Sequence, residues 1–165
     1  MKNIVLIGMP GTGKSTVGVL LAKSLLMDFC DTDLIIQKNF SAPLCDIIAD
    51  IGTEGFIAAE DEILSGLQAE NTVIATGGSA VYGEKAMKNL KSNGIAVYLD
   101  TPLSELEKRL HNIHTRGVAM KEGTTLSELF EEREPLYRKY ADITVDCSGL
   151  SAEECVERIV EFLEK

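Results

Sequence analysis

The first 25 residues contain the feature that most restricts the fold, a glycine-rich loop between an apolar run and an amphipathic stretch. The run Ile4–Ile7 predicts a buried strand, and Gly8–Ser15 follows it directly with the spacing G-x-x-x-x-G-K-[ST]. Lys14–Leu25 then predicts a helix. Glycines let such a loop turn its backbone N–H groups toward phosphate oxygens, and the helix N-terminus adds partial positive charge. The segment therefore predicts a phosphate-binding strand–loop–helix unit.

The loop residues have distinct predicted roles toward a nucleoside triphosphate. Lys14 is predicted to reach the β- and γ-phosphates, and the Ser15 hydroxyl to bind Mg²⁺. The residues predicted to hold the nucleotide are Gly11, Thr12, Gly13, Lys14, Ser15 and Thr16. The alternative is a glycine-rich turn with an incidental lysine. Ordinary residue frequencies would give this pattern by chance in roughly one chain in a hundred of this length, and the flanking strand and helix lower that chance further.

Further apolar runs alternate with amphipathic stretches along the rest of the chain. Val73–Ala75, Ile95–Leu99 and Ile143–Val145 predict strands buried on both faces, which belong in a parallel sheet covered by helices. Amphipathic stretches predict helices at Ile57–Leu67 and Glu84–Lys91. A third helix is predicted to follow a Thr101 N-cap, with Pro102 as its first residue. Two more are predicted to begin at the capping boxes Thr125–Glu128 and Ser151–Glu154. This alternation predicts an α/β fold, a three-layer α/β/α sandwich with a parallel sheet.

The chain length and composition predict one ordinary globular domain. The 165 residues fit a single core, and 45% of them belong to the hydrophobic class. We expect one domain over residues 1–165. Residues 112–125 contain Gly117, Gly123 and few apolar side chains, which predicts a mobile lid. The sequence does not fix an oligomeric state, and we expect a monomer.

The net charge restricts the possible partners. The chain carries 26 acidic and 16 basic residues, a formal charge of −10, so we expect neither nucleic acid nor an anionic membrane as a partner. The apolar run near the N-terminus is too short for a signal peptide or a membrane span, and we expect a cytoplasmic protein. An anionic nucleotide must then be captured by a local positive site.

Two carboxylates after the first helix leave two interpretations open. Asp31 and Asp33 are spaced i and i+2 in a segment predicted to be extended, so their side chains would point the same way. One could help to hold Mg²⁺ while the other orients an acceptor hydroxyl and takes its proton. Alternatively, the pair forms a solvated turn or caps the segment that begins at Leu34. The residues alone favour neither interpretation.

A set of colinear motifs gives the chain a family resemblance. The matching pieces are Gly8–Thr16 with Val17-Gly18 and Leu21-Ala22, Asp31-Thr32-Asp33, Gly52, Phe56 and Glu60, Val73–Gly78, Val97–Asp100, Arg109-Leu110, Glu132–Tyr137 and Ala141-Asp142. With these motifs the chain resembles the shikimate kinases over essentially its whole length. The resemblance implies a P-loop-kinase-type sheet with a mobile lid. It also implies an ATP- and magnesium-dependent kinase that converts shikimate to shikimate 3-phosphate in aromatic amino acid biosynthesis.

The resemblance also implies roles on the acceptor side of the site. Asp33 would contact the acceptor hydroxyls, and Asp31 would lie near the magnesium ion. Gly77 and Gly78 would let the acceptor ring approach the backbone, and the following Ser79 would also belong to the acceptor site. Arg133 would pair with the acceptor carboxylate, although among its glutamate neighbours it could equally be a surface residue.

Two further arginines receive implied roles toward the nucleotide. Arg109 would lie against the adenine, although Glu105 and Glu107 beside it also allow a plain surface salt bridge. Arg116 would be the lid arginine that closes over the phosphates and neutralises charge on the transferring group.

The chain departs from the family pattern at three positions. Ile57 stands where family members usually carry an arginine that clamps the acceptor carboxylate. Ser79 replaces the third glycine after Thr76, and the lid reads Arg116-Gly117-Val118, whereas in the family proline usually follows the arginine. The nucleotide half of the motif set is intact, whereas the acceptor half is altered.

These departures leave two rivals to shikimate phosphorylation. The first is a related kinase whose small-molecule acceptor has a different shape or lacks the second charge, with Ile57 and Ser79 forming part of its pocket. The second is a non-catalytic nucleotide-binding module. Asp33 and Arg116 argue against that module, because binding alone would need neither.

Overall fold

The apolar runs become parallel strands of one sheet in a computed structural model, which describes residues 1–111 and 117–165. The sheet has five strands in the order β2-β3-β1-β4-β5, and every neighbouring pair is parallel. The strands are β1 Asn3–Ile7, β2 Asp28–Asp31, β3 Thr72–Ala75, β4 Gly94–Asp100 and β5 Ile143–Asp146.

The central strand β1 is buried along its whole length. Ile4 lies opposite Val73 of β3 on one side and Ile95 of β4 on the other. Because all the strands run the same way, the segments that follow them meet at one edge of the sheet. The phosphate loop after β1, the aspartates at the end of β2 and the glycines after β3 are brought together there.

Helices cover both faces of the sheet and complete the predicted three layers. Those in the described residues are α1 Lys14–Leu25, α2 Thr32–Phe40, α3 Leu44–Ser65, α4 Glu84–Ser92, α5 Leu103–Arg109, α6 Leu126–Tyr140 and α7 Ala152–Leu163. On one face, side chains of α3, α4 and α6 pack with Val5 and Ile7. On the other, α1 and α7 pack with Ile4 and Leu6. No helix in the described ranges combines the length and apolar character needed to cross a membrane.

The predicted helix starts are largely confirmed. Thr125 and Ser151 both form complete capping boxes, each with the glutamate three residues later. The prediction for Thr101 is wrong by one position. Pro102, with ψ of 144°, occupies the N-cap, and the helix begins at Leu103. Thr101 is instead buried directly after β4.

Part of the region after α1 differs from the prediction. Asp31 ends strand β2, and Asp33 lies in the first turn of α2, so the two aspartates are not in one extended segment. Helix α3 starts well before the predicted Ile57. It is interrupted at Gly52, whose φ of 75° is a conformation that glycine adopts without strain.

Candidate active site

A cleft of about 480 Å³ opens at the carboxyl edge of the sheet. Its walls come from the phosphate loop, from α2 and α3, from the segment after β3, and from residues 117–119. The lining residues are Pro10, Gly11, Gly13, Lys14, Ser15, Thr16, Asp33, Leu44, Phe56, Thr76, Gly77, Gly78, Ser79, Arg109, Gly117, Val118, Ala119 and Arg133. The cleft thus joins the predicted nucleotide residues to most of the predicted acceptor residues.

The phosphate loop has the geometry that its glycines predict. Gly13 forms the N-cap of α1 with φ of 90°, and the helix N-terminus is therefore directed at the cleft. The Lys14 ammonium is largely buried and donates hydrogen bonds to the carbonyl oxygens of Gly8 (2.6 Å) and Met9 (2.8 Å). The loop therefore presents a lysine charge and a helix N-terminus at the same place, which suits a phosphate group.

Ser15 and Asp31 form a pair of oxygens beside this loop. The Ser15 hydroxyl donates a 2.7 Å hydrogen bond to Oδ2 of Asp31. Mg²⁺ prefers oxygen ligands, keeps several waters, and is usually held by one or two protein oxygens together with substrate phosphates. The described residues contain no group of three or more histidine, cysteine or carboxylate side chains that could hold a metal ion. This pair, together with a bound phosphate, fits the requirement of Mg²⁺.

Asp31 also fixes the position of Asp33. Its Oδ1 accepts a 3.0 Å hydrogen bond from the Asp33 backbone N–H and so caps α2. The capping interpretation of the sequence is thus correct, and it coexists with the contact to Ser15. Burial and the nearby Asp31 charge raise the pKa of Asp33, whereas Lys14 lowers it. A raised pKa suits a carboxylate that must accept a proton.

Gly77 and Gly78 allow the backbone after β3 to pass very close to polar side chains. A Cβ atom on Gly77 would lie 2.9 Å from Oδ1 of Asp33 and 3.1 Å from Oε2 of Glu60. A Cβ atom on Gly78 would lie 2.9 Å from Nη1 of Arg133. Larger residues at either position would push these side chains away, so the two glycines set the shape of the acceptor half.

Arg133 is a buried cation in the cleft wall, not a surface residue among glutamates. Only 1% of the residue is exposed. Its Nε donates to the Tyr82 hydroxyl at 3.3 Å, its guanidinium lies 5.3 Å from the centre of the Tyr82 ring, and its Nη2 donates to the Ala119 carbonyl oxygen. These contacts hold a planar donor in place for an anionic group.

The two altered acceptor positions have different surroundings. Ser79 lines the cleft, and its hydroxyl donates a 2.6 Å hydrogen bond to Oε1 of the buried Glu60. Ile57 packs on an apolar cluster with Ile36, Ile47 and Phe56. Ser79 thus lies where the expectation put it, whereas Ile57 is not among the residues that line the cleft.

The two predicted nucleotide arginines have different outcomes. Arg109 lines the cleft and donates from Nη1 to the carbonyl oxygens of Gly11 (3.2 Å) and Thr12 (3.4 Å). It also pairs with Glu105 at 3.4 Å, so the predicted surface salt bridge forms as well. Arg116 lies outside the described residues, as does the first part of the predicted lid.

Sequence reasoning missed several residues that shape the cleft. Leu44 and Phe56 form an apolar wall, and Tyr82 and Tyr137 support the acceptor side. Tyr137 donates to the Gly78 carbonyl oxygen at 2.7 Å. Glu60 was recognised only as a motif position. Its apolar neighbours Phe56 and Ile57 are the sequence signal that indicates a buried carboxylate at Glu60.

Comparisons with known proteins agree on one family. A family model described as shikimate kinase matches residues 10–164. The shikimate kinase of Francisella tularensis subsp. holarctica is 38% identical over 166 residues, covering 98% of this chain and 94% of that protein. The similarity therefore includes both the phosphate loop and the acceptor side.

Solved structures give the same result. The shikimate kinase from Acinetobacter baumannii in complex with shikimate matches with a TM-score of 0.90 and 32% identity, covering 99% of this chain and 93% of that chain. The shikimate kinase from Aquifex aeolicus matches with a TM-score of 0.83 and 36% identity, covering 98% and 96%. The predicted P-loop-kinase-type architecture is confirmed by these matches.

Proposed function

The chain belongs to the shikimate kinase family, and we propose that it transfers the γ-phosphoryl group of ATP to a hydroxyl group of shikimate. The observation that carries this proposal is the single cleft in which a phosphate loop faces Asp33 and the buried Arg133. A non-catalytic nucleotide-binding module would need only the phosphate loop. The acceptor side supports an enzyme over that rival.

The phosphate loop supplies the donor half of the reaction. Backbone N–H groups of residues 11–16 and the N-terminus of α1 would hold the phosphates, and Lys14 would leave its carbonyl partners to contact the β- and γ-phosphates. Arg109, which already lies over the loop, would contact the adenine side. Arg116 would add positive charge to the transferring group.

Ser15 and Asp31 are the residues that would hold Mg²⁺. Bound together with the nucleotide, the ion would neutralise phosphate charge and help to align the γ-phosphate. Asp31 would give up its hydrogen bond from Ser15 but keep its cap on α2, because the two contacts use different carboxylate oxygens.

The acceptor half positions the attacking hydroxyl. Arg133 would bind the shikimate carboxylate while Gly77 and Gly78 let the ring approach the backbone. Asp33 would orient the hydroxyl and accept its proton as the oxygen bonds to the γ-phosphorus and ADP leaves. Positioning and electrostatics would supply most of the rate enhancement.

A screen for acceptor-dependent ADP release tests this proposal. Shikimate, related cyclic acids, hydroxy amino acids and sugar acids are compared in a coupled assay, and we expect shikimate to give the highest kcat/KM. Lys14→Ala should abolish the activity because it removes the phosphate-binding charge, with a far-UV CD spectrum like that of the wild type. A clear preference for another acid would reject shikimate and keep the kinase, and turnover retained by Lys14→Ala would reject the assigned role of the loop.

A further inference from the structure

Glu60 is a buried carboxylate next to the acceptor half of the cleft. It lies on α3 and is 1% exposed. Ser79 donates a hydrogen bond to its Oε1, whereas Oε2 has no hydrogen-bond partner among the described residues. An ionised carboxylate in such a place would be poorly compensated, because burial requires both a countercharge and satisfied oxygens.

The charged groups around Glu60 do not supply that compensation. Asp33 of α2 faces Oε2 across Gly77, and Asp61 follows on the same helix. Helix α6 contributes the cation Arg133 and the Tyr137 hydroxyl. Helix α4, which also packs on α3, directs Lys85 to the exposed Glu62. Within the described residues, Arg133 is thus the cation that acts on Glu60, and the same guanidinium would have to bind the acceptor carboxylate.

Ile57 explains why the charges are unbalanced. It lies three residues before Glu60 on α3, a spacing at which an arginine could pair with the carboxylate. Isoleucine packs on the apolar cluster instead and brings no charge. Ser79 offers a hydrogen bond in place of the ion pair.

We propose that a proton on Glu60 neutralises the negative charge that an arginine at position 57 would otherwise balance. The acceptor carboxylate then binds to the enzyme form in which Glu60 is neutral and held by Ser79. This inference rests on the proposed function, because it concerns the binding of an anionic acceptor. Glu60 is a positioning residue here, since Ser79 and Gly77 lie between it and the cleft.

Glu60 changes its protonation state near neutral pH. Burial raises its pKa to about 7; the Ser79 hydrogen bond and Arg133 oppose this, while Asp33 and Asp61 add to it. The neutral form dominates below this pH and the charged form above it. The KM for shikimate should therefore rise with pH, while the KM for ATP should follow a separate profile.

The pH dependence of the shikimate KM between pH 6 and 8.5 tests this inference. If only the neutral form binds, KM should increase about fivefold from pH 7 to pH 8. Glu60→Gln cannot ionise, and its KM should stay low and flat over the range. Glu62→Gln, an exposed change on the same helix, is the matched control and should keep the wild-type rise. A flat wild-type profile, or a rise that persists in Glu60→Gln, overturns the inference.

Two further variants move the profile in predictable directions. Ser79→Ala removes a hydrogen bond that favours the charged form, so the rise in KM should shift to higher pH. Ile57→Arg supplies the charge directly and should lower KM at pH 8 by about ten- to a hundredfold. An unshifted profile in Ser79→Ala would show that the Ser79–Glu60 contact does not control the proton.

A measurement without substrate separates this inference from the proposed function. The side-chain carboxyl carbon of Glu60 can be followed by ¹³C NMR, with its signal assigned by its loss in Glu60→Gln. We expect a midpoint near pH 7, and ionisation complete below pH 5.5 would overturn the inference whatever the acceptor. Absence of any shikimate turnover alongside a midpoint near 7 would instead count against the proposed acceptor.

Discussion

Among the single residues of the cleft, Asp33 has the most direct proposed part in the transfer. Its carboxylate is partly buried beside Gly77 in the cleft wall, and its backbone N–H donates a hydrogen bond to Oδ1 of Asp31. This is the position from which a carboxylate could both orient a hydroxyl and accept its proton. In the proposed reaction, the neighbouring Lys14 would contact the phosphates and Arg133 the acceptor anion.

Replacing Asp33 by asparagine should separate transfer from nucleotide binding. Asp33→Asn keeps the side-chain shape but removes the charge, so kcat should fall by about two to four orders of magnitude. The affinity for ATP, measured by calorimetry, should barely change because the phosphate loop is untouched. Asp50→Asn, at an exposed position, is a suitable control with unchanged kcat. A near-normal kcat in Asp33→Asn would remove the proton-accepting role.

The sequence predicted the residues of the site better than it predicted their contacts. The loop motif and the colinear matches identified Lys14, Asp33 and Arg133, all of which line the cleft. The Ser79–Glu60 hydrogen bond could not be predicted, because it depends on how α3 packs against the segment after β3. Motif positions show which residues meet a ligand, but tertiary packing decides which residues meet one another.

At the scale of helices and strands, burial decided which predictions succeeded. Strands β1, β3 and β4 are continuous apolar runs because both faces are covered. Strand β2 lies at the sheet edge, begins and ends in aspartate, and is partly exposed, so it carries no apolar run. The start of α3 was missed because Gly52 interrupts the helical pattern.

The segment formed by residues 117–125 should respond to both substrates. Val118 and Ala119 line the cleft, the Ala119 carbonyl accepts from Arg133, and the Met120 carbonyl accepts from Thr53. An acceptor anion on Arg133 should change these contacts. We expect amide hydrogen exchange in residues 117–125 to slow when ATP and shikimate are present together, with α7 unchanged as internal control. Equal exchange with and without substrates would contradict a closing lid.

In the molecule as a whole, positive groups are gathered at one site of an otherwise acidic protein, where the two anionic substrates would bind. The net charge is −10, yet the cleft gathers the α1 N-terminus, Lys14, Arg109 and Arg133 at one sheet edge. The parallel topology makes this possible, because it directs the ends of the strands to one place. In the proposed function, donor and acceptor would be held side by side, and water would be excluded when they react.

The proposed transfer of a phosphoryl group from ATP to shikimate in this cleft can be followed by ³¹P NMR of the reaction mixture. With wild-type enzyme, ATP and shikimate, we expect a new phosphomonoester signal that grows in a one-to-one ratio with ADP, and little inorganic phosphate. The proposed transfer would be contradicted if ADP accumulated together with inorganic phosphate alone, at a rate independent of shikimate.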